Sequence, residues 1–217
     1  MGISQKGQKR YDCFLQTGLE LFLKYGYERT SLNDIVNKSG GSLASIYKFF
    51  HNKEGLFAAI LEQKFEIFQK ELDKNIVLNK NENIQDFLYK FGITYFDIFY
   101  KIDTIMFSRI IISENYKNKN IGKLFFDCII ARTTNVLAEY FQTQVTQKSI
   151  KELNAFDGID KYSKSEFLAC KFLALIRDPF YTHSLLLGEN HLKNINKKKK
   201  EAIIENVVEL FLHGILK

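Results

Sequence analysis

From about Lys9 to Tyr25 the apolar residues Tyr11, Phe14, Leu15, Gly18, Leu21, Phe22 and Tyr25 recur three or four positions apart. That spacing draws one continuous stripe along a helix, and Gly26 follows where a left-handed helix end is expected. The next segment is shorter. Ser31 precedes Leu32, Ile35 and Val36 and stands three residues before Asp34, a capping-box start, and Gly40 and Gly41 stop the helix. Ser42 can cap a two-turn helix that buries Ile46 and Phe50, while Leu43, Ala44, Ser45 and Lys48 face elsewhere. Asn52 caps a long helix carrying Phe57, Ile60, Leu61, Phe65, Phe68 and Leu72, with Lys53 and Glu54 in its first turn. Further helices are predicted at about 83–100, 103–116, 119–148, 163–188 and 196–216. Ser163 with Glu166 is a second capping box, Pro179 should kink the helix it interrupts, and residues 153–163 read as a surface loop.

The prediction is therefore all-α, with about nine helices. One Pro and twelve Gly leave few breaks, whereas a sandwich or barrel needs turn residues every ~8–12 positions. Helix, glycine-containing turn and short helix is the helix-turn-helix arrangement, in which the second helix enters the DNA major groove. In that arrangement Ser42, Leu43, Ala44 and Ser45 face base edges, and Lys48 reaches either bases or phosphates. The first helix should lie across the other two and complete a small core around Ile35, Ile46 and Phe50.

The segment LELFLKYGYERTSLNDIVNKSGGSLASIYKFFHNKEGLF resembles the N-terminal domain of TetR-type bacterial transcription regulators. The matching positions are Gly26 and Tyr27, Thr30 and Ser31, Ile35, Gly40 with Ser42, Tyr47 with Phe50, and Lys53, Glu54 and Leu56. LALIRDPFYTHSLLLG, residues 173–188, is similar to the multidrug-efflux and AefR-like branch, where an Arg/Lys-x-Pro sequence interrupts a late helix. The resemblance implies residues 1–55 as a helix-turn-helix DNA-binding domain and 56–217 as a helical ligand-binding and dimerisation domain. It also implies phosphate contacts from Thr30, Tyr47 and Lys53. Leu43 stands where the family often has a basic residue, Gly41 where a small apolar one is common, and Phe49 where His or Tyr is frequent.

Charge adds modest support. The net charge is +6, and residues 1–61 carry eight basic against five acidic side chains, a mild concentration suited to an anionic partner. Lys6, Lys9 and Arg10 offer a basic arm for phosphates or else a solvated terminus, while Lys197 to Lys200 read as a solvated first turn. Cys13, Cys128 and Cys170 are odd in number and lack nearby His or Cys, which argues against a disulfide framework or a zinc site and for core thiols. No metal or other cofactor is expected. No Gly-rich phosphate loop is present, and His51, His183, His191 and His213 have no neighbouring nucleophile, so an enzyme is not expected. No apolar run approaches the ~20 residues of a membrane span and no apolar signal segment follows Met1, so a cytoplasmic location away from membranes is expected.

Aromatic residues crowd the middle of the chain on helices apolar on more than one face, as in FLYKFGITYFDIFY. They either pack a core or line a cavity. Family resemblance favours a cavity, and the candidate lining is Phe91, Tyr95, Phe99, Met106, Phe107, Ile110, Phe126, Ile130, Phe172, Ile176 and Tyr181. Lys90, Arg109 and Arg177 are candidate partners for an acidic head group. The last two helices carry stripes that suit a two-fold dimer, with Phe167, Leu168, Leu175, Val207, Leu210 and Phe211 as interface candidates. The resulting expectation is a ligand-responsive, homodimeric repressor that binds a double-stranded operator and is released by a bulky apolar or amphipathic inducer. The alternative is a helical protein-interaction module with a degenerate helix-turn-helix that does not bind DNA.

Overall fold

The computed structural model describes residues 4–75, 82–116, 119–146, 163–178, 180–187 and 195–215. Among these residues it is all-helical, with eleven α-helices and one π-helix. In order they are α1 (Gln5–Tyr25), α2 (Leu32–Ser39), α3 (Leu43–Phe50), α4 (Lys53–Asn75), α5 (Ile84–Phe99), α6 (Ile102–Asn115), α7 (Lys119–Phe125), the π-helix (Phe126–Ala131), α8 (Arg132–Thr146), α9 (Lys164–Arg177), α10 (Phe180–Leu187) and α11 (Lys197–Ile215). Two compact units result, Met1–Phe68 with Met106–Phe125, and Gln69–Ile105 with Phe126–Lys217.

In the first unit α1 packs on α2 and α3. Its stripe is buried at Phe14, Leu15, Leu21 and Phe22, against Ile35 of α2, Ile46 and Phe50 of α3, and Leu56 and Phe57 of α4. Burying each of these side chains contributes about 1.5–3 kcal/mol. Phe22, Tyr27 and Phe57 form a triangle of rings 5.2–5.6 Å apart. Phe107 of α6 adds a fourth ring 5.6 Å from Phe57. Gly18 belongs to the stripe because a Cβ there would stand 3.1 Å from Ile60 and 3.2 Å from Leu56. A small residue lets α1 and α4 approach closely.

The predicted caps form in the structure. Ser31 and Asp34 close one capping box, Ser163 and Glu166 another, and Asn52 accepts from the Gly55 amide at 2.7 Å. Gly26 departs from expectation. Its φ of 85° is positive but its ψ of 161° is extended, whereas Gly40, at 67° and 56°, is the true left-handed cap.

In the second unit α9 packs against α8 and α11, and α11 packs against α5. A Cβ on Gly92 would meet Ile204 at 2.7 Å, so a glycine there lets α5 and α11 approach closely. Tyr100 ties the end of α5 to the end of α9, its hydroxyl lying 2.7 Å from the Ile176 carbonyl and 2.9 Å from that of Arg177. Lys200 donates to Asp97, so the first turn of α11 is not wholly solvated, contrary to the reading of Lys197 to Lys200.

Two predicted helices are divided. In place of the single kinked helix expected over 163–188, the described residues hold α9 and α10, and Asp178 is extended at φ −91°, ψ 145°, the conformation a following proline imposes. Pro179 itself lies outside the described residues. Within 119–148 the π-helix separates α7 from α8, an irregularity that hydrophobic spacing does not encode. Residues 147–148 lie outside the described residues, as does the expected loop 153–163 except for Ser163. Cys13 and Cys170 are half-buried rather than core thiols; the Cys128 side chain is outside those described.

Candidate nucleic-acid interface

The interface candidate is built on α2, α3 and the first turn of α4. Asp34 accepts from the Ser31 amide at 2.8 Å, and Ser31 Oγ accepts from the Asp34 amide at 3.1 Å. Hydrogen bonds from the Ser31 hydroxyl, then from its backbone N–H, hold the Asp34 carboxyl below the usual carboxylate range. The turn that follows is held from α1. Arg10 Nη1 donates to the Ser39 carbonyl at 3.0 Å and also to that of Gly40. The guanidinium expected in a basic arm is thus engaged in the frame.

Ser42 caps α3 by accepting from the Ser45 amide at 3.1 Å, and the two hydroxyls lie 2.8 Å apart. Ile46 and Phe50 are buried and root α3 in the unit. Its opposite face is open: Ala44 and Lys48 are exposed, Ser45 is half-buried, Leu43 is 40% exposed and Tyr47 50%. The helix ends in a tight γ-turn. His51 has φ 64° and ψ −43°, and the Asn52 amide reaches the Phe50 carbonyl at 2.7 Å.

Thr30 and Lys53 are turned inward. Thr30 is 2% exposed, and its hydroxyl lies 2.9 Å from the Gly26 carbonyl and 3.2 Å from that of Leu21. Lys53 Nζ donates to the carbonyls of Tyr27 and Thr30 at 3.0 and 3.2 Å, 4.2 Å from the Tyr27 ring centroid. Burial, then Glu54, raises the Tyr27 phenol, so it stays neutral beneath that cation. Both residues therefore brace the segment that leads into α2.

The candidate ligand lining divides between the units. Met106, Phe107 and Ile110 belong to the first and the rest to the second. Phe91, Tyr95, Phe99, Phe172 and Ile176 are buried, with Tyr95 stacked on Phe99 at 4.1 Å and Phe91 6.4 Å from Phe172. Tyr181 and Ile130 are half-buried, and Phe126 is 52% exposed. A recess of about 630 Å³ between α5 and α11, lined by Asp86, Tyr89, Glu205 and Glu209 among others, contains none of these candidates. Of the interface candidates, Leu168 and Phe211 are buried within their own chain, Phe211 lying 5.1 Å from Phe172. Phe167, Leu175 and Val207 are half-buried and Leu210 is 64% exposed.

Residues 14–60 match the model of the tetR family of bacterial regulatory proteins, and residues 86–214 match the C-terminal domain of AefR-like transcriptional repressors. The chain belongs to the TetR family. The HTH-type transcriptional repressor ComR of Escherichia coli is 42% identical over 57 residues, 26% of this chain and 27% of ComR. The HTH-type transcriptional regulator QacR of Staphylococcus aureus is 24% identical over 95% of this chain and 98% of its own. The solved structure of the flavonoid-responsive regulator FrrA has a TM-score of 0.74 at 23% identity, covering 96% of this chain and 98% of its own.

In this TetR-family chain the unusual Gly41 has a physical reason. A Cβ there would stand 2.6 Å from Phe14 Cζ, inside the ring cluster of Phe14, Phe49 and Phe50. Phe14 occupies the space that a small apolar residue would take. Gly41→Ala is expected to destabilise the protein by about 1–3 kcal/mol, and Phe14→Leu in the same chain to recover part of that loss. Urea denaturation of both variants measures it; equal stability of Gly41→Ala and wild type would reject the steric account.

Proposed function

We propose that this TetR-family regulator is a homodimeric repressor that binds a double-stranded operator and releases it when a bulky apolar or amphipathic molecule occupies the second unit. The observation that carries this reading is α3, rooted by Ile46 and Phe50 while Leu43, Ala44, Tyr47 and Lys48 stand free on its outer face. A rigid helix with one open face is what insertion into a major groove requires. Ser42, Leu43, Ala44 and Ser45 meet base edges, Tyr47 and Lys48 reach the backbone, and Thr30 and Lys53 set the angle at which the helix-turn-helix is presented. Residues 1–55 form the DNA-binding part in this reading and 56–217 the responsive part.

Repression is supported by the description of the AefR-like C-terminal model and by the name of ComR. An aromatic ligand is supported by the rings along α5 and by FrrA, which is flavonoid-responsive by name. Among the described residues no helix is long and apolar enough to cross a membrane, which suits action on DNA in the cytoplasm.

The test is a gel shift on the DNA upstream of the protein's own gene. Ser45→Ala should change which sequences are preferred, whereas Lys48→Ala, which removes a backbone contact, should weaken binding on all sequences alike. Exposure of Leu43 and Tyr47 favours a second reading, an interaction module that uses the same helix face on a protein. Absence of any salt-dependent DNA binding by the wild type would promote that reading.

A further inference from the structure

Beside α3 lies a recess of about 550 Å³, lined by Ser4, Lys6, Gly7, Lys9, Arg10 and Cys13 of the chain's beginning and by Ser45, Lys48 and Phe49 of α3. Four of its lining residues are cations and none is a carboxylate. Arg10 is engaged by the carbonyls of the turn, but Lys6, Lys9 and Lys48 are exposed and make no ion pair among the described residues. The acid nearest in sequence, Asp12, accepts from Gln8 instead at 3.0 Å.

This arrangement works against the helix that bears it. The first turn of α1 contains no acidic residue, so Lys6 and Lys9 add positive charge to the positive end of its dipole. Ser4 caps the Gly7 amide, and among the described residues no acceptor is set against the amides of Gln5 and Lys6, which can take one from outside. An anion seated there would relieve both conflicts at once. On the other wall, Leu43 gives α3 no charge at its start, and Lys48 is its lone cation.

We propose that this recess holds a phosphate of the DNA backbone beside the groove that α3 enters, with Lys6 and Lys9 of α1 on one side and Lys48 on the other. The inference rests on the DNA-binding reading above and adds α1 to its interface. Charge missing from the start of the recognition helix is supplied by the first helix, across a recess whose wall Arg10 fixes. These contacts carry no base information, so they strengthen binding to every sequence and leave the preference among sequences to α3.

The experiment compares the full-length wild type with Lys6→Ala/Lys9→Ala on two duplexes, the upstream DNA and a scrambled duplex of equal length, between about 50 and 200 mM salt. The variant is expected to bind both duplexes about tenfold or more weakly at the lower salt, with the ratio between them unchanged. Its slope of log affinity against log salt should fall by about 0.9 for each phosphate that it no longer neutralises, and Lys6→Arg/Lys9→Arg should restore it. Its melting temperature should not drop, because removing two cations from a helix start relieves the dipole. Wild-type binding with an unchanged slope in the alanine variant would overturn this inference and leave the DNA reading standing. Failure of the wild type to bind either duplex would overturn both. If about 10 mM inorganic phosphate raises the melting temperature of free wild type but not of the variant, while the DNA slopes agree, the recess is a free-phosphate site and the DNA assignment falls.

Discussion

Phe172→Ala is expected to lower the stability of the protein by about 3–5 kcal/mol and its melting temperature by about 10 °C or more. The ring is fully buried on α9, between Phe91 of α5 at 6.4 Å and Phe211 of α11 at 5.1 Å. It therefore joins three helices by dispersion and apolar burial, and truncation separates it from two rings at once. Phe211 also touches Phe141 of α8 at 5.7 Å, so the void opens beside a four-helix junction. Calorimetry on the variant decides between the two uses of these aromatics. A loss of less than about 1 kcal/mol would mean that Phe172 borders an existing cavity, in which case an amphipathic ligand should raise the wild-type melting temperature and Tyr95→Ala should reduce that rise.

Val207→Asp with Leu210→Asp is expected to give particles of one chain, 25.4 kDa, and a loss of operator affinity of about 10²-fold or more. Leu210 is largely exposed and Val207 half-exposed, so two carboxylates there stay solvated in a lone protomer and leave its fold intact. In an assembly built on this face they would meet their own copies across the two-fold axis, buried and like-charged. The cost on DNA follows because one helix-turn-helix reads a few base pairs, while a pair spaced by ~34–36 Å reads both halves of a palindrome. Light scattering and gel shift are measured on the same sample. A dimer of unchanged affinity would place the interface elsewhere, and a monomer of unchanged affinity would end the palindrome argument. Leu168 and Phe211 are poor choices for this test, since both are buried within the protomer and their loss would damage it directly.

The helix starts were legible in the sequence because a cap is a contact across three residues. Ser31 with Asp34, Ser42 with the Ser45 amide, Asn52 with the Gly55 amide and Ser163 with Glu166 all close within that distance, and no tertiary arrangement is needed to form them. The buried sides of α1, α2 and α3 were legible for a related reason: helical spacing alone puts Phe14, Ile35, Ile46 and Phe50 on apolar stripes. Spacing does not say what a polar side chain meets. Arg10 reaches carbonyls about thirty positions away, Lys53 reaches back to Tyr27 and Thr30, and Phe14 fills the space above Gly41; each depends on how α1 lies across its neighbours. A stripe is likewise wider than the contact it makes, so only packing separates Phe211, which faces its own core, from Leu210 beside it, which faces out. The same holds for the aromatic residues of α5. Their number foretold a crowded interior, but whether a ring touches another ring or an open cavity is decided by the distance between helices, which one-dimensional spacing does not contain.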